Sequence, residues 1–271
     1  AQCLVGSEMC IRDRVIVVGL LVFFANRPKT TDNTASSTST SSSQKVDYPT
    51  NYKLHDAVKN STTALNDLTL PQLSTTVAED EAEVEIKTTA GNINIKLFPK
   101  LAPNAVQNFL VLAKNGYYKN NEFFRVIKDF MIQSGDPSNQ GTGSASIFGG
   151  KSFDTEISNQ LYNIRGALAL ANTGQASSSS SQFFIVQNSQ DMTNQIQDKT
   201  KYPQKIIDAY KKGGYPSLDG SYTVFGQVIS GMDVVDKIAK AEVTSSGSGE
   251  ASSPVDPVKI KSVKILKNWK F

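Results

Sequence analysis

The fold of this chain is decided by residues 123–136, which read FFRVIKDFMIQSGD. Two short apolar runs, 123–127 and 130–132, flank a polar pair, and this pattern predicts two β-strands joined by a tight connection. The Gly-Asp-Pro sequence that begins at Gly135 predicts a loop after the second strand. We therefore expect a pair of connected strands here.

Arg125 is the unusual residue of this stretch, because it is a permanent cation among aromatic and β-branched neighbours. Such a residue is rarely buried without a partner or a task. Taken alone, it is interpreted as a strand arginine that reaches solvent or pairs with an acid such as Glu122 or Asp136. The motifs farther along the chain change that interpretation.

Several short motifs follow the first stretch. They are, in order, GTG (141–143), SIFG (146–149), ALAN (169–172), SQFFI (181–185), LDG (218–220), TVFG (223–226) and GM (231–232). Together they resemble the signature of the cyclophilins, a family of peptidyl-prolyl cis-trans isomerases, over about residues 83–266. The resemblance implies a mainly β fold, a closed eight-stranded antiparallel barrel capped by two α-helices, with the active site on its outer surface.

The pattern of apolar residues agrees with a mainly β domain. Alternation over residues 84–97 predicts a hairpin with one apolar face. Apolar stripes at helical spacing predict helices over 105–113 and 234–239, and 206–212 is a short helical candidate. Residues 244–253, rich in serine and glycine, are predicted to form a flexible loop.

The reaction that the resemblance implies needs no nucleophile, metal or cofactor, and we expect none. Rotation about an X–Pro bond breaks amide resonance and meets a barrier of about 18–20 kcal/mol. A site lowers this barrier by binding the twisted amide better than either planar form. Because the prolyl nitrogen gains a lone pair when the amide twists, a fixed donor aimed at it stabilises the twisted state selectively.

The resemblance also assigns roles to individual residues. Arg125 would be the fixed donor, since it stays charged and its planar fork reaches more than one acceptor, and Gln133 would help to hold substrate and arginine. The apolar slot for the proline ring would be formed by Phe130, Met131, Phe184 and Leu218, with Tyr222 at its rim. The groove for the extended peptide would be formed by the backbone of Ala171 and Asn172 and by Gln182.

Three positions depart from the usual pattern of the family. Phe124 and Tyr222 stand where many members carry histidine. Ser217 replaces the tryptophan found in the cyclosporin-sensitive members. The arginine and the proline slot are retained, so these departures bear on drug affinity and substrate preference.

Composition limits the partners. The net charge is +3 and the lysines are scattered, so nucleic acid is not an expected partner. The two cysteines, Cys3 and Cys10, precede the domain, the only histidine is His55, and no metal-ligand spacing occurs. We expect proline-containing polypeptides as clients, and we expect the protein to act as a monomer.

The sequence before the domain divides into four segments. Residues 1–14 resemble translated sequencing-library adapter and are expected to be a non-native leader. The apolar run 15–25 is too short for a bilayer core of about 30 Å. We interpret it first as the remnant of a longer membrane anchor, second as the apolar region of a cleaved signal peptide, and third as a buried core helix. Residues 26–47 are a Ser/Thr-rich flexible linker, and 48–81 an N-terminal extension of the 82–271 domain.

This organisation predicts an extracytoplasmic enzyme anchored in the membrane at the cell surface, with a secreted protein as the alternative. The leading hypothesis for function is an isomerase that accelerates the folding of exported or surface proteins. A non-catalytic chaperone module that binds proline-containing peptides is the main alternative, and an adhesion protein that uses the barrel as a scaffold is a third.

Overall fold

A computed structural model describes residues 46–271 of the chain. The predictions for the leader at 1–14, for the apolar run at 15–25 and for most of the linker at 26–47 fall outside these residues. Within 46–271, no helix combines the length and the apolar character that a membrane span requires.

The described part of the chain is mainly β. It contains ten strands: β1 Ala82–Thr88, β2 Asn92–Leu97, β3 Arg125–Ile127, β4 Met131–Ser134, β5 Ala167–Leu170, β6 Phe183–Val186, β7 Val224–Ser230, β8 Val243–Ser245, β9 Ala251–Pro254 and β10 Ile260–Lys267. Eight of them form one antiparallel sheet in the order β10-β1-β2-β7-β5-β6-β4-β3, and β8 and β9 form a separate hairpin. The hairpin predicted over 84–97 is the β1–β2 pair.

The large sheet curls into a half-barrel, so the prediction of a closed barrel is wrong. Its edge strands, β3 and β10, do not pair with each other. Just before these strands, Glu122 and Lys259 form a single antiparallel bridge, and Phe123 donates its backbone N–H to the carbonyl of Val258 at 2.9 Å. Strand β3 has three residues and packs against the β8–β9 hairpin.

In residues 46–271 three α-helices accompany the sheet: the two that the resemblance implied and the short candidate predicted near 206–212. They are α1 Pro103–Lys114, α2 Gln204–Tyr210 and α3 Met232–Ala239. Helix α1 packs against β10, and α3 packs against β2, β3 and β4. Helix α2 lies outside the main core and contributes to a small cluster with Tyr162 and Ile164. The two longer helices therefore cover the sheet, and α2 belongs to an outer layer.

The first turn of α1 is capped from a distance. Proline at the first helical position has no N–H to satisfy. Glu156, far along the chain, accepts the backbone N–H groups of Asn104 and Ala105 at 3.0 and 2.9 Å. Burial raises the pKa of this carboxyl above its ordinary value, and the helix N–H groups oppose the rise.

Alternation along the strands separates two apolar faces. Ile132 of β4 and Phe183 of β6 point into the main core, where the Phe109 ring lies 5.6 Å from that of Phe183. Their neighbours Met131 and Phe184 point to the other face and join a second cluster. Because side chains alternate along a strand, the same short strands build the core and the outer surface.

Residues 46–81 are held against the domain at several points. Tyr52 donates its backbone N–H to the carbonyl of Ile147 at 3.3 Å. The buried Gln72 side chain donates to the carbonyl of Tyr162 and to Gln227, each at 2.9 Å. At the end of this segment, Glu81 forms a buried ion pair with Lys96 of β2 at 3.2 Å.

Candidate active site

Arg125 and Gln133 lie opposite each other on the paired strands β3 and β4. Directly opposed residues place their side chains on the same face of a sheet, and Arg125 Nη1 donates to Gln133 Oε1 at 3.3 Å. Gln133 in turn donates from Nε2 to Gln182 Oε1 at 3.0 Å. The structure thus brings these three predicted residues into one polar chain.

The GTG motif binds the Gln182 end of this series of hydrogen-bonded side chains. Gln182 Nε2 donates to the carbonyl oxygens of Gly141 and Gly143 at 3.1 and 2.8 Å. A Cβ at Gly143 would lie 2.1 Å from Oδ1 of Asp136, so a larger residue would force this loop apart. The loop is therefore shaped to present carbonyl oxygens to the Gln182 side chain.

The acid that pairs with Arg125 is Glu250, and neither Glu122 nor Asp136 does so. Arg125 Nε donates to Glu250 Oε2 at 2.7 Å, and Nη2 donates to Oε1 at 2.9 Å. The arginine is 2% exposed, so this bidentate pair is almost withdrawn from water. Sequence reasoning missed Glu250, which lies 125 residues away in a stretch of serine and glycine.

The β8–β9 hairpin delivers Glu250, so the prediction of a flexible loop over 244–253 is wrong. Its turn closes with a hydrogen bond of 2.6 Å from the backbone N–H of Ser246 to the carbonyl of Glu250. Gly249 has φ +86°, a left-handed conformation that glycine adopts readily. The Ser/Gly composition thus makes a tight turn that leaves Glu250 beside Arg125.

The predicted slot residues gather beside the arginine on the outer face of the sheet. Phe130, Met131, Phe184, Leu218 and Tyr222 belong to one apolar cluster. The rings of Phe184 and Tyr222 meet edge to face at 5.6 Å. Arg125 Nη1 lies 3.9 Å from the sulfur of Met131, so one end of the guanidinium borders this cluster.

The slot is packed shut in this structure. Met131, Phe184 and Leu218 each have no exposed surface, and Phe130 is 6% exposed. Tyr215, which the sequence did not single out, places its ring 4.6 Å from that of Phe130 and is partly exposed. A proline ring can reach the floor of the slot after side chains at its rim have moved.

Tyr222 brings a hydroxyl into this environment. Burial raises the pKa of Tyr222 to about 12, and the positive charge of Arg125 opposes that rise. The hydroxyl therefore stays neutral at ordinary pH and is close enough to feel the arginine charge. The other two departures from the family pattern lie nearer to solvent, because Phe124 is half-buried and Ser217 is exposed.

The segment predicted to pair with substrate follows β5. The backbone N–H of Ala171 donates to the carbonyl of Gln182 at 2.9 Å. The Asn172 side chain donates to the carbonyl of Ser221 at 2.8 Å and accepts from the N–H of Gly174 at 3.0 Å. Both ends of the Asn172 side-chain amide are thus bound within the protein. Pairing of the Ala171 and Asn172 backbone with a peptide stays a prediction.

A buried carboxyl supports the slot from behind. Asp219, next to Leu218, accepts from the Tyr210 hydroxyl at 2.5 Å and from the backbone N–H of Asn163 at 2.7 Å. Part of the residue meets solvent, whereas its carboxyl group is buried and hydrogen-bonded. Burial raises its pKa to about 6, against the effect of these donors. Helix α2, which carries Tyr210, is thereby tied to the slot wall.

Acidic side chains do not cluster around the slot. Across residues 46–271, no three His, Cys, Asp or Glu side chains are grouped so that they could hold a metal ion. The polar groups beside the slot are a guanidinium, two amides, one carboxylate and the Tyr222 hydroxyl. Such a set can donate hydrogen bonds from fixed positions and can place a cation next to an apolar surface.

Comparisons with known proteins show which proteins this chain is similar to. A family model described as "Cyclophilin type peptidyl-prolyl cis-trans isomerase/CLD" matches residues 83–265. A protein of Staphylococcus aureus (strain USA300) with the name "Putative peptidyl-prolyl cis-trans isomerase" is 45% identical over 199 residues, which are 72% of this chain and 97% of the relative. A protein of the same name from Staphylococcus epidermidis is 42% identical over the same shares.

Solved structures give the same result. The crystal structure of a cyclophilin type peptidyl-prolyl cis-trans isomerase from Cryptosporidium parvum, determined in the presence of the dipeptide Ala-Pro, has a TM-score of 0.55 and 32% identity to this chain. The match covers 69% of this chain and 99% of the other. The fold of this chain is thus similar to that of an isomerase whose crystal structure was determined in the presence of a proline dipeptide.

Proposed function

The chain belongs to the cyclophilin-type peptidyl-prolyl cis-trans isomerase family and is an enzyme of that class, and from this premise we propose that Arg125 lowers the barrier to X–Pro isomerisation. One observation carries the proposal. Arg125 Nη1 donates a hydrogen bond to Gln133, and the same nitrogen borders the apolar cluster. A fixed cationic donor thus stands beside a surface suited to a proline ring.

The proposed mechanism is electrostatic. As the amide twists, its nitrogen becomes pyramidal and accepts a hydrogen bond that the planar amide cannot accept. A guanidinium N–H fixed near that nitrogen then stabilises the twisted state more than either ground state. Burial strengthens the effect, because the field of a charge is screened less in a low-dielectric site than in water.

Proline-containing polypeptides are the proposed clients. The Cryptosporidium parvum isomerase was crystallised with Ala-Pro, and the apolar cluster of this chain has the composition that a pyrrolidine ring requires. The chain flanking the proline would lie along Ala171 and Asn172. We further propose that the protein acts as a monomer.

The test is a prolyl-isomerisation assay on the full chain with Arg125→Ala. Loss of one preorganised donor costs about 10²–10³ in rate, so kcat/KM should fall by that factor. Arg165→Ala is the matched control, because Arg165 is also paired with a carboxylate, Asp236, but does not belong to the slot. Unchanged turnover in a folded Arg125→Ala variant would exclude the arginine mechanism.

The same assay separates the enzyme from a non-catalytic peptide-binding module. A binding module would hold a proline peptide yet would not speed its isomerisation. The enzyme should accelerate exchange between the cis and trans forms of a short Ala-Pro peptide, which exchange in tens to hundreds of seconds when uncatalysed. Binding without acceleration would favour the chaperone hypothesis.

We also propose an extracytoplasmic location, with clients among exported or surface proteins. The support is sequence alone: the apolar run at 15–25 and the Ser/Thr-rich residues that follow. The linker at 26–47, as a coil of about 22 residues, has an r.m.s. span of roughly 23–28 Å, which would let the domain reach chains near a membrane. Protease added to intact cells should remove the domain, and its protection until lysis would contradict this location.

A further inference from the structure

We propose that Glu250 is a positioning residue for the reaction, which orients the Arg125 guanidinium from behind; this inference rests on the proposed role of Arg125. The carboxylate engages the Nε and Nη2 edge through bonds of 2.7 and 2.9 Å. A bidentate contact fixes both the position and the plane of the guanidinium. The effect of Glu250 on substrate is therefore exerted through another side chain.

The hydrogen-bond inventory of Arg125 supports this role. A guanidinium has five N–H donors. Glu250 takes two and Gln133 takes one, on Nη1. One of the remaining two is also on Nη1, which faces the weak acceptor sulfur of Met131 at 3.9 Å. The carboxylate thus occupies one edge of the fork, and a donor that holds no strong acceptor borders the slot.

Charge and burial give Glu250 a second effect. Arg125 is 2% exposed, and the Glu250 side chain is 12% exposed. A cation at such a depth is strongly disfavoured without a counter-ion. Glu250 supplies that counter-ion, which allows the charge to remain where water screens it least. The Ser/Gly turn of the β8–β9 hairpin places the carboxylate there.

The experiment is Glu250→Gln in the full chain, with kcat and KM measured separately on an Ala-Pro peptide. The amide is isosteric with the carboxylate, but it loses the charge and one acceptor. Misplacement of a catalytic group can cost up to about 10²-fold, so we expect kcat to fall by roughly 10- to 100-fold and KM to change less. Glu250→Asp keeps the charge on a shorter side chain and should recover part of the loss.

Two controls separate positioning from a structural role. Glu242→Gln removes the same charge beside the same hairpin from an exposed position, and it should leave kcat unchanged. Glu250→Gln added to Arg125→Ala should have little further effect on kcat, since a residue that acts through the guanidinium has nothing left to orient. Thermal unfolding of each variant verifies that the protein assayed is folded.

Three results would overturn the inference while leaving the role of Arg125 intact. They are an unchanged kcat in Glu250→Gln, an equal loss of kcat in the presence and absence of Arg125, and an increase in kcat/KM, which would mean that the carboxylate competes with substrate. If Arg125→Ala itself keeps full activity, the proposed function fails together with the inference. The single and double variants distinguish these cases.

Discussion

Two buried ion pairs in this protein have similar chemistry and different surroundings. Lys96 and Glu81, 1% and 6% exposed, join β2 to the N-terminal segment. Arg125 and Glu250, 2% and 12% exposed, join β3 to the β8–β9 hairpin. The Lys96 ammonium is enclosed by acceptors, since it contacts both oxygens of Glu81 at 3.2 Å and the carbonyl of Thr76 at 3.1 Å.

The two pairs differ in how many N–H donors of the cation remain without an acceptor. An ammonium has three donors, and three acceptor oxygens surround that of Lys96. A guanidinium has five, and two on Arg125 remain beyond the contacts with Glu250 and Gln133. The first pair therefore stabilises the fold, whereas the second places a cation beside an apolar slot. Burial of an ion pair does not by itself indicate function, and the support for the proposed role of Arg125 is its remaining Nη1 donor beside the slot.

Breaking the structural pair should have the largest effect, and it should fall on stability. Glu81→Ala leaves Lys96 buried without its counter-ion, which costs about 3–5 kcal/mol in the free energy of unfolding. Urea denaturation measures this loss. Asp80→Ala, which breaks an exposed pair with Lys100, is the adjacent control and should cost about 0–1 kcal/mol. Lower turnover in folded Glu81→Ala protein would contradict the conclusion that the Lys96–Glu81 pair serves stability alone.

Asp219 is a buried carboxyl whose hydrogen-bond donors are neutral, and it can be compared with the two ion pairs. The pKa of Asp219 is raised from 3.8 to about 6, so the native state binds a proton more tightly than the unfolded state does. The associated stability is complete below about pH 4 and is lost as the pH rises through about 6. Relative to Asp219→Asn, the wild type should lose about 3 kcal/mol across this window.

Urea denaturation at several pH values between 3.5 and 7 tests the Asp219 prediction. The difference in unfolding free energy between wild type and Asp219→Asn cancels the carboxyls that both proteins share. Asp208→Asn, on the exposed face of α2, is the control, and its pKa is lowered by hydrogen bonds from Lys211 and Gln204. A constant difference across the range would show that Asp219 titrates normally.

The smallest expected effect comes from exchanging the kind of cation. Arg125→Lys keeps the charge but cannot contact Glu250 bidentately and also serve Gln133 and the slot. We expect kcat/KM to fall by roughly tenfold, about 1.4 kcal/mol, with the protein still folded. Arg165→Lys makes the same exchange in the pair with Asp236 and should leave kcat/KM unchanged. Full activity in Arg125→Lys would mean that charge alone suffices.

Much of the fold follows from short-range patterns. The alternation of apolar residues in β1 and β2 predicts a hairpin, and the stripes at 105–113 and 234–239 predict α1 and α3. The candidate slot was predicted through the resemblance to the cyclophilins, since Phe130 and Met131 taken alone would be interpreted as ordinary core residues. Local periodicity reports which face of a strand or helix is buried, and this is enough to predict the hairpin and the two helices.

The remaining features depend on contacts between distant segments. Glu250 lies in a Ser/Gly stretch with no apolar periodicity, so nothing local indicates that it meets Arg125. The tyrosine that binds Asp219 comes from α2, which no pattern connects to the slot. Whether the edge strands β3 and β10 pair depends on how distant segments pack, and the three residues of β3, Arg125–Ile127, do not specify that.

The closed slot has a consequence for how tightly any client can bind. If Met131, Phe184 and Leu218 must become accessible first, only molecules that have already opened can accept a proline ring. Apparent affinity is then reduced by the open fraction, so a 1% open population weakens binding by about 100-fold. A ligand that fits the opened slot would shift the ensemble toward that state. Substitutions that hold the rim open should strengthen binding without adding a single contact to the peptide.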